Sequence, residues 1–207
     1  MTKRTLTPGF TLLEFVVAAA VILVLAILVT SIFIRRRQNE LRATCLENMK
    51  GIGYAFRLYS MDFDGKFPPA GPGQSTTILG PKAGWVSTVD DEEDWIGNSD
   101  VFLHCPSSPV PMDPTDPDQI DYGYNATVAI KTRSNVPHPA STVDSFEASQ
   151  DDGINQTAST ADTSRVILDR HQGGSNYLFV DGHVKWLESA DHPGITPASS
   201  NNFTFAT

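Results

Sequence analysis

Apolar and polar residues follow three regimes along the chain, and each predicts a different element. From Phe10 to Ile34 nearly every position is apolar, and Glu14 is the only ionisable side chain in the run. As a helix these 25 residues extend roughly 37 Å at about 1.5 Å per residue, enough to cross a hydrocarbon layer of about 30 Å with some tilt. After Arg37, the apolar residues Leu41, Cys45, Met49, Ile52, Phe56 and Tyr59 recur at spacings of four and three, the stripe of an amphipathic helix. The spacing predicts that one long helix continues to about Ser60, with Gly65 as a left-handed cap before Pro68-Pro69. Gly51 and Gly53 each cost that helix roughly 1 kcal/mol relative to alanine, so its second half needs packing to hold it.

Beyond residue 62 the pattern shortens to strands and turns. Residues 101–109 (VFLHCPSSP) read as a short strand ending at Cys105-Pro106, 121–130 (DYGYNATVAI) and 165–171 (RVILDRH) as strands, and 176–187 as two alternating strands around Asp181-Gly182. Asp-Gly at that place predicts a two-residue type I′ hairpin. Residues 134–163, rich in Ser, Thr, Asp and Asn, read as an irregular excursion. The fold class predicted is α+β: a long N-terminal helix, its first half transmembrane, packed by its second half on a small antiparallel sheet.

Charge sharpens the division. The chain of 207 residues has a formal net charge of -9, but residues 61–207 hold twenty-one acidic against seven basic residues. So acidic a head repels phosphates, which disfavours nucleic-acid binding. The run Asp90–Asp94, flanked by Trp85 and Trp95, reads as a solvated loop. Cys45 and Cys105 are the only cysteines, too few for a paired-CxxC metal framework and compatible with one disulfide in an oxidising compartment.

The apolar run follows Lys3 and Arg4, as a secretory signal would, but such signals have apolar cores of about 7–15 residues, and this one is longer. Glu14 needs an explanation, because a carboxylate at the membrane centre costs about 2.5–3.5 kcal/mol on insertion scales. One account is position: Glu14 lies a turn from the start of the span and reaches the headgroups by tilting. Another is a cut between Gly9 and Phe10, which creates an α-amino group four residues before Glu14 on the same helical face.

Lys3-Arg4, then Gly9-Phe10-Thr11-Leu12-Leu13-Glu14 and the apolar run, resemble the class III signal of type IV prepilins and type II secretion pseudopilins. The resemblance implies that a membrane-embedded prepilin peptidase removes residues 1–9 and methylates the amine of Phe10. It also implies that Glu14 docks subunits, with an assembly ATPase and a platform protein as partners. It divides the chain into a leader (1–9), a transmembrane assembly helix (10–34), an amphipathic stem (35–61) and an extracytoplasmic β-rich head (62–207). Two features depart from the pattern. Residues 9–67 contain no proline, and Arg35, Arg36 and Arg37 outnumber Lys3 and Arg4, a count that alone favours the opposite orientation. The processing motif instead places the N-terminus in the cytoplasm, the span in the inner membrane and the head outside.

His171 precedes Asp181-Gly182 by nine residues. With Cys45-Leu46-Glu47-Asn48-Met49-Lys50, Phe67-Pro68-Pro69, Cys105-Pro106-Ser107 and Tyr122-Gly123-Tyr124-Asn125, this ending resembles a bacterial family of prepilin-like proteins sharing a His-X9-Asp-Gly signature. Asp113, Asp116, Asp118 and Asp121 offer the carboxylates calcium prefers, and the resemblance implies that major pseudopilins often fix a distal loop with that ion. Turn residues are the competing reading, and no cofactor is needed for chemistry. Asp169, His171, Asp181 and His183 could form an acid/base or metal group if the 165–171 strand and the hairpin adjoin. The alternative gives His171 a turn backbone to hold and Asp181 a hairpin to shape. No serine or cysteine stands in a recognisable nucleophile motif. The expectation is a non-enzymatic filament subunit, with an anchored hydrolase or ligand-binding module as the rival.

Overall fold

In the computed structural model the described residues are 11–71, 85–86, 103–111, 120–149, 157–158 and 165–191. They form one long helix, α1 (Leu12–Asp62), and five strands: β1 (Tyr122–Asn125), β2 (Val143–Glu147), β3 (Thr157–Ala158), β4 (Gly174–Phe179) and β5 (Val184–Glu188). The chain divides into two compact units, Met1–Glu40 and Leu41–Thr207.

In the first unit α1 is apolar on all sides, and its side chains from Leu12 to Ile34 are exposed. By length and composition this stretch can cross a membrane. The hydroxyls of Thr30 and Ser31 donate to the carbonyls of Ala26 and Ile27 one turn back, so neither is left unmet in an apolar surrounding.

In the second unit the predicted stripe is buried. Cys45, Met49, Ile52, Phe56 and Tyr59 lie on the covered face of α1, joined by the polar Asn48 and Ser60. The helix closes where the Gly65 N–H reaches the Ser60 carbonyl at 2.7 Å. The left-handed turn starts one residue before the expected Gly65: Asp64 takes φ 53° and Gly65 follows at 74°. Aspartate tolerates this region better than most side chains.

The strands form one sheet in the order β3-β1-β2-β4-β5. Four are antiparallel as expected, while β3 joins β1 in parallel and makes the sheet mixed. Alternation along the strands sends Tyr122, Tyr124 and Leu178 into one apolar cluster with α1 and Trp85, and Tyr177 and Phe179 into another with Val143, Phe146 and Leu187. Phe56 packs edge-on against Trp85 and Tyr124, with centroids 5.8 and 5.1 Å away.

Four expectations are corrected. The segment 134–163 is not wholly irregular, since β2 lies inside it at the centre of the sheet and is fully buried. A bulge at Asp144 lets Val143 and Phe146, three positions apart, join the same cluster. The segment 165–171 is not a strand; Val166 makes one isolated bridge to Ala148. Its pairing is confined to two backbone bonds beyond the last β2–β4 pair, Ile167 N–H to the Glu147 carbonyl and Ser149 N–H to the Arg165 carbonyl. Residues 103–109 are irregular as well, because the Cys105 N–H bonds the Asp121 carboxylate and the Ser108 N–H turns back to the Cys105 carbonyl. Of 121–130, only β1 is strand.

The hairpin at Asp181-Gly182 forms, with a different turn. Gly182 has φ 98° while Asp181 has no positive φ, so type I′ is ruled out. The Gly182 N–H reaches the Phe179 carbonyl, and the Phe179 N–H reaches that of His183. This makes a three-residue loop, Val180 to Gly182, with glycine at the left-handed position.

Candidate functional site

Four stretches far apart in sequence meet beneath the sheet. Cys45 comes from α1, Cys105 from the irregular segment after Leu103, Glu147 from the end of β2, and His171 from the turn that leads into β4. Cys45 and Cys105 form a disulfide, with Cα atoms 5.1 Å apart. The His171 Nε2 lies 2.6 Å from Glu147 Oε1 and 3.8 Å from Cys105 Sγ. His171 is held on its other side too, its backbone N–H bonding the Gly174 carbonyl and its own carbonyl accepting from Trp186 Nε1.

Burying a carboxylate is costly unless its lone pairs are met. Glu147 has no exposed surface, and Asn176 serves it twice, from Nδ2 to Oε1 at 3.0 Å and from the backbone N–H to Oε2 at 3.3 Å. Asp121, equally buried, takes the Cys105 N–H at 2.9 Å, the Ser108 hydroxyl at 2.7 Å and an ion pair with Arg170 at 3.4 Å. His104 Nδ1 stands 2.7 Å from the same carboxylate, a contact without hydrogen-bond alignment. Arg170 also donates to the carbonyls of Asp121 and Ala148, tying β1 and β2 to the turn before β4. Asn48 on α1 donates to the His104 carbonyl and the Tyr122 hydroxyl. Burial, reinforced by the Glu147 charge, pushes that phenol well above its ordinary range.

This cluster has little to catalyse with. Both sulfurs are bonded to each other, and the imidazole is occupied and only 3 % exposed. A cleft of about 600 Å³ lies elsewhere, between Lys50, Tyr54 and Arg57 of α1, Arg133 and the loop Asp181-Gly182. The rival grouping of Asp169, His171, Asp181 and His183 into an acid/base or metal site is not assembled. Asp169 is exposed, His171 pairs with Glu147, and Asp181 pairs with His183 at 2.5 Å on the surface. Within the signature, His171 is therefore a buried brace while Asp181 and Gly182 shape the hairpin, where the Asp181 carboxylate also accepts the His183 N–H. Asp121, grouped from sequence with the calcium loop, has its oxygens engaged in the protein; Asp113, Asp116 and Asp118 lie outside the described residues, as do Asp90–Asp94.

Gly9 and Phe10 also fall outside the described residues. Glu14 starts α1 as half of a capping box. Its Oε2 accepts from the Thr11 N–H at 2.8 Å and the Thr11 hydroxyl at 2.9 Å, while its own N–H reaches the Thr11 hydroxyl oxygen at 3.3 Å. Glu147, Asn176 and Arg170 escaped the sequence reading, for no local motif marks them.

The chain matches no protein-family model, no curated protein and no solved structure.

Proposed function

We propose that this chain is a membrane-anchored structural subunit of a pilin-like filament, of the type II secretion or type IV pilus kind. The observation that carries the reading is the first part of α1, an apolar stretch with no buried residue and a single carboxylate one turn from its start. A surface of that kind is stable only in lipid or against other apolar helices. The segment from Gly9 to Glu14 supports processing before Phe10 and methylation of the new amine by a prepilin peptidase. The helix then leaves the bilayer for a bundle of identical or related subunits, driven by an assembly ATPase on a platform protein. Glu14 exchanges its bonds to Thr11 for the amine of a neighbouring subunit. The disulfide supports an extracytoplasmic place for the second unit, since such bonds persist in oxidising compartments.

Mass spectrometry of the mature N-terminus, on protein from its native envelope, tests this directly. The expected species begins at a methylated Phe10. A chain that keeps its first nine residues in the native host would sink the filament reading.

A further inference from the structure

The disulfide, His171 and Glu147 form a group whose geometry exceeds what an ion pair needs. One donor atom from each of Cys45, Cys105, Glu147 and His171 lies within 4.8 Å of every other, and all four residues are buried. Two thiolates, an imidazole and a carboxylate are a zinc ligand set. In a tetrahedral site with bonds of about 2.0–2.3 Å, neighbouring donors stand roughly 3.3–3.8 Å apart. His171 Nε2 and Cys105 Sγ, at 3.8 Å, already have this spacing. His171 and Glu147, at 2.6 Å, need to part by less than about 1 Å, and the sulfurs by somewhat under about 2 Å once their bond is gone.

The surroundings also suit a metal. Ligands hold an ion well when their other atoms are fixed by neighbours. Asn176 fixes Glu147, the Gly174 carbonyl and Trp186 fix the His171 backbone, and the Tyr122 hydroxyl bonds the Cys45 carbonyl at 3.4 Å. Pro106, the residue after Cys105, is exposed, as are Pro109 and Val110.

We propose that this site has two exclusive states: a disulfide when oxidised, and a mononuclear Cys45-Cys105-His171-Glu147 zinc site when reduced. An external dithiol supplies two electrons and two protons and becomes a disulfide itself, leaving two thiols. The ion then displaces both thiol protons, and the proton held between His171 Nε2 and Glu147 Oε1 moves to Nδ1 or to solvent, so that the ion takes His171 through Nε2 and Glu147 through a carboxylate oxygen. The metal replaces the covalent tie between α1 and the segment after Leu103. None of this requires the chain to polymerise.

The test uses the full chain in detergent, reduced with a dithiol, freed of it under nitrogen and titrated with Co²⁺ as a probe for Zn²⁺. One equivalent should bind, with thiolate-to-cobalt absorption in the near ultraviolet, and Zn²⁺ should displace it. The oxidised chain should give no such absorption. His171→Ala and Glu147→Gln should each weaken binding at least tenfold. Because either variant could fail to fold, X-ray absorption of the zinc-loaded wild-type chain gives a second readout, with two sulfur and two nitrogen or oxygen neighbours expected. Failure of the reduced chain to bind cobalt, affinity indifferent to both variants, or a shell of four sulfurs or of oxygens alone would each overturn the proposal.

Discussion

The ring of Phe146 lies across Gly123, its partner on the neighbouring strand, so closely that a Cβ at position 123 would stand 2.4 Å from the ring edge. Phe146 is fully buried, so moving its ring requires its neighbours in the core to move as well. Gly123→Ala should therefore destabilise the second unit by about 1–3 kcal/mol through overpacking. Denaturant unfolding followed by tryptophan fluorescence measures this, and a neutral result would mean the ring has room to move.

Asp144 carries a pH dependence whose sign can be worked out. Burial raises its carboxyl to about 7, with the Arg133 charge opposing the rise. Its Oδ1 finds no hydrogen-bond partner among the described residues. The folded chain thus holds a proton that the unfolded chain releases near the ordinary value of 3.8. This contribution favours the folded chain below about pH 4 and is lost as pH rises toward 7. Asp144→Asn should remove that slope and make the protein more stable than wild type at pH 8, by on the order of 2–4 kcal/mol. Unfolding curves of both proteins from pH 4 to 8 provide the check.

Asp121 is the anchor of its neighbourhood. Removing its carboxylate leaves Arg170, whose side chain is 3 % exposed, without its acidic partner, and frees the Cys105 N–H and the Ser108 hydroxyl. Asp121→Ala should cost about 3–5 kcal/mol, the penalty for stranding a buried charge. A loss under about 1 kcal/mol in chemical unfolding would contradict that account.

The Cys45–Cys105 bond spans 60 residues. In chain-entropy terms such a cross-link stabilises by about 4 kcal/mol. Metal-free reduced protein should unfold at correspondingly lower denaturant, and non-reducing peptide maps of envelope-derived material should contain the linked pair.

The filament proposal gives Glu14 a docking role beside its capping of the helix, and mutation can separate the two. Thr11→Ala removes the cap at a cost of about 1 kcal/mol to the helix start and should leave assembly intact. Glu14→Ala should preserve insertion and processing but stop incorporation into filaments. Equal defects in the two variants, scored by filament yield, would reduce Glu14 to a helix cap.

Much of α1 could be read from periodicity, because an amphipathic stripe reports burial wherever one face is covered. The β4–β5 pair was legible from alternation and Asp-Gly, though not its loop length, which depends on Asp181 staying out of the left-handed region. β2 was illegible for a physical reason: in Val143-Asp144-Ser145-Phe146-Glu147 the polar residues are buried and a bulge at Asp144 breaks the alternation, while only Glu147 is met by His171 and Asn176. The apolar run at 165–171 misled because its pairing with 147–149 stops after two backbone bonds, where the chain turns toward β4. The site itself depends on pairings such as Glu147 with His171, 24 positions apart, that exist only once the sheet is formed.

A covalent bridge at Cys45 also decides how tension travels. Pull on α1 from its N-terminal end reaches the disulfide within the first turns of the covered stripe and passes straight to residue 105. The intervening 46–104 then lie in parallel with that bridge rather than in series with it. A cable clamped there can be tugged without unspooling the coil beyond the clamp.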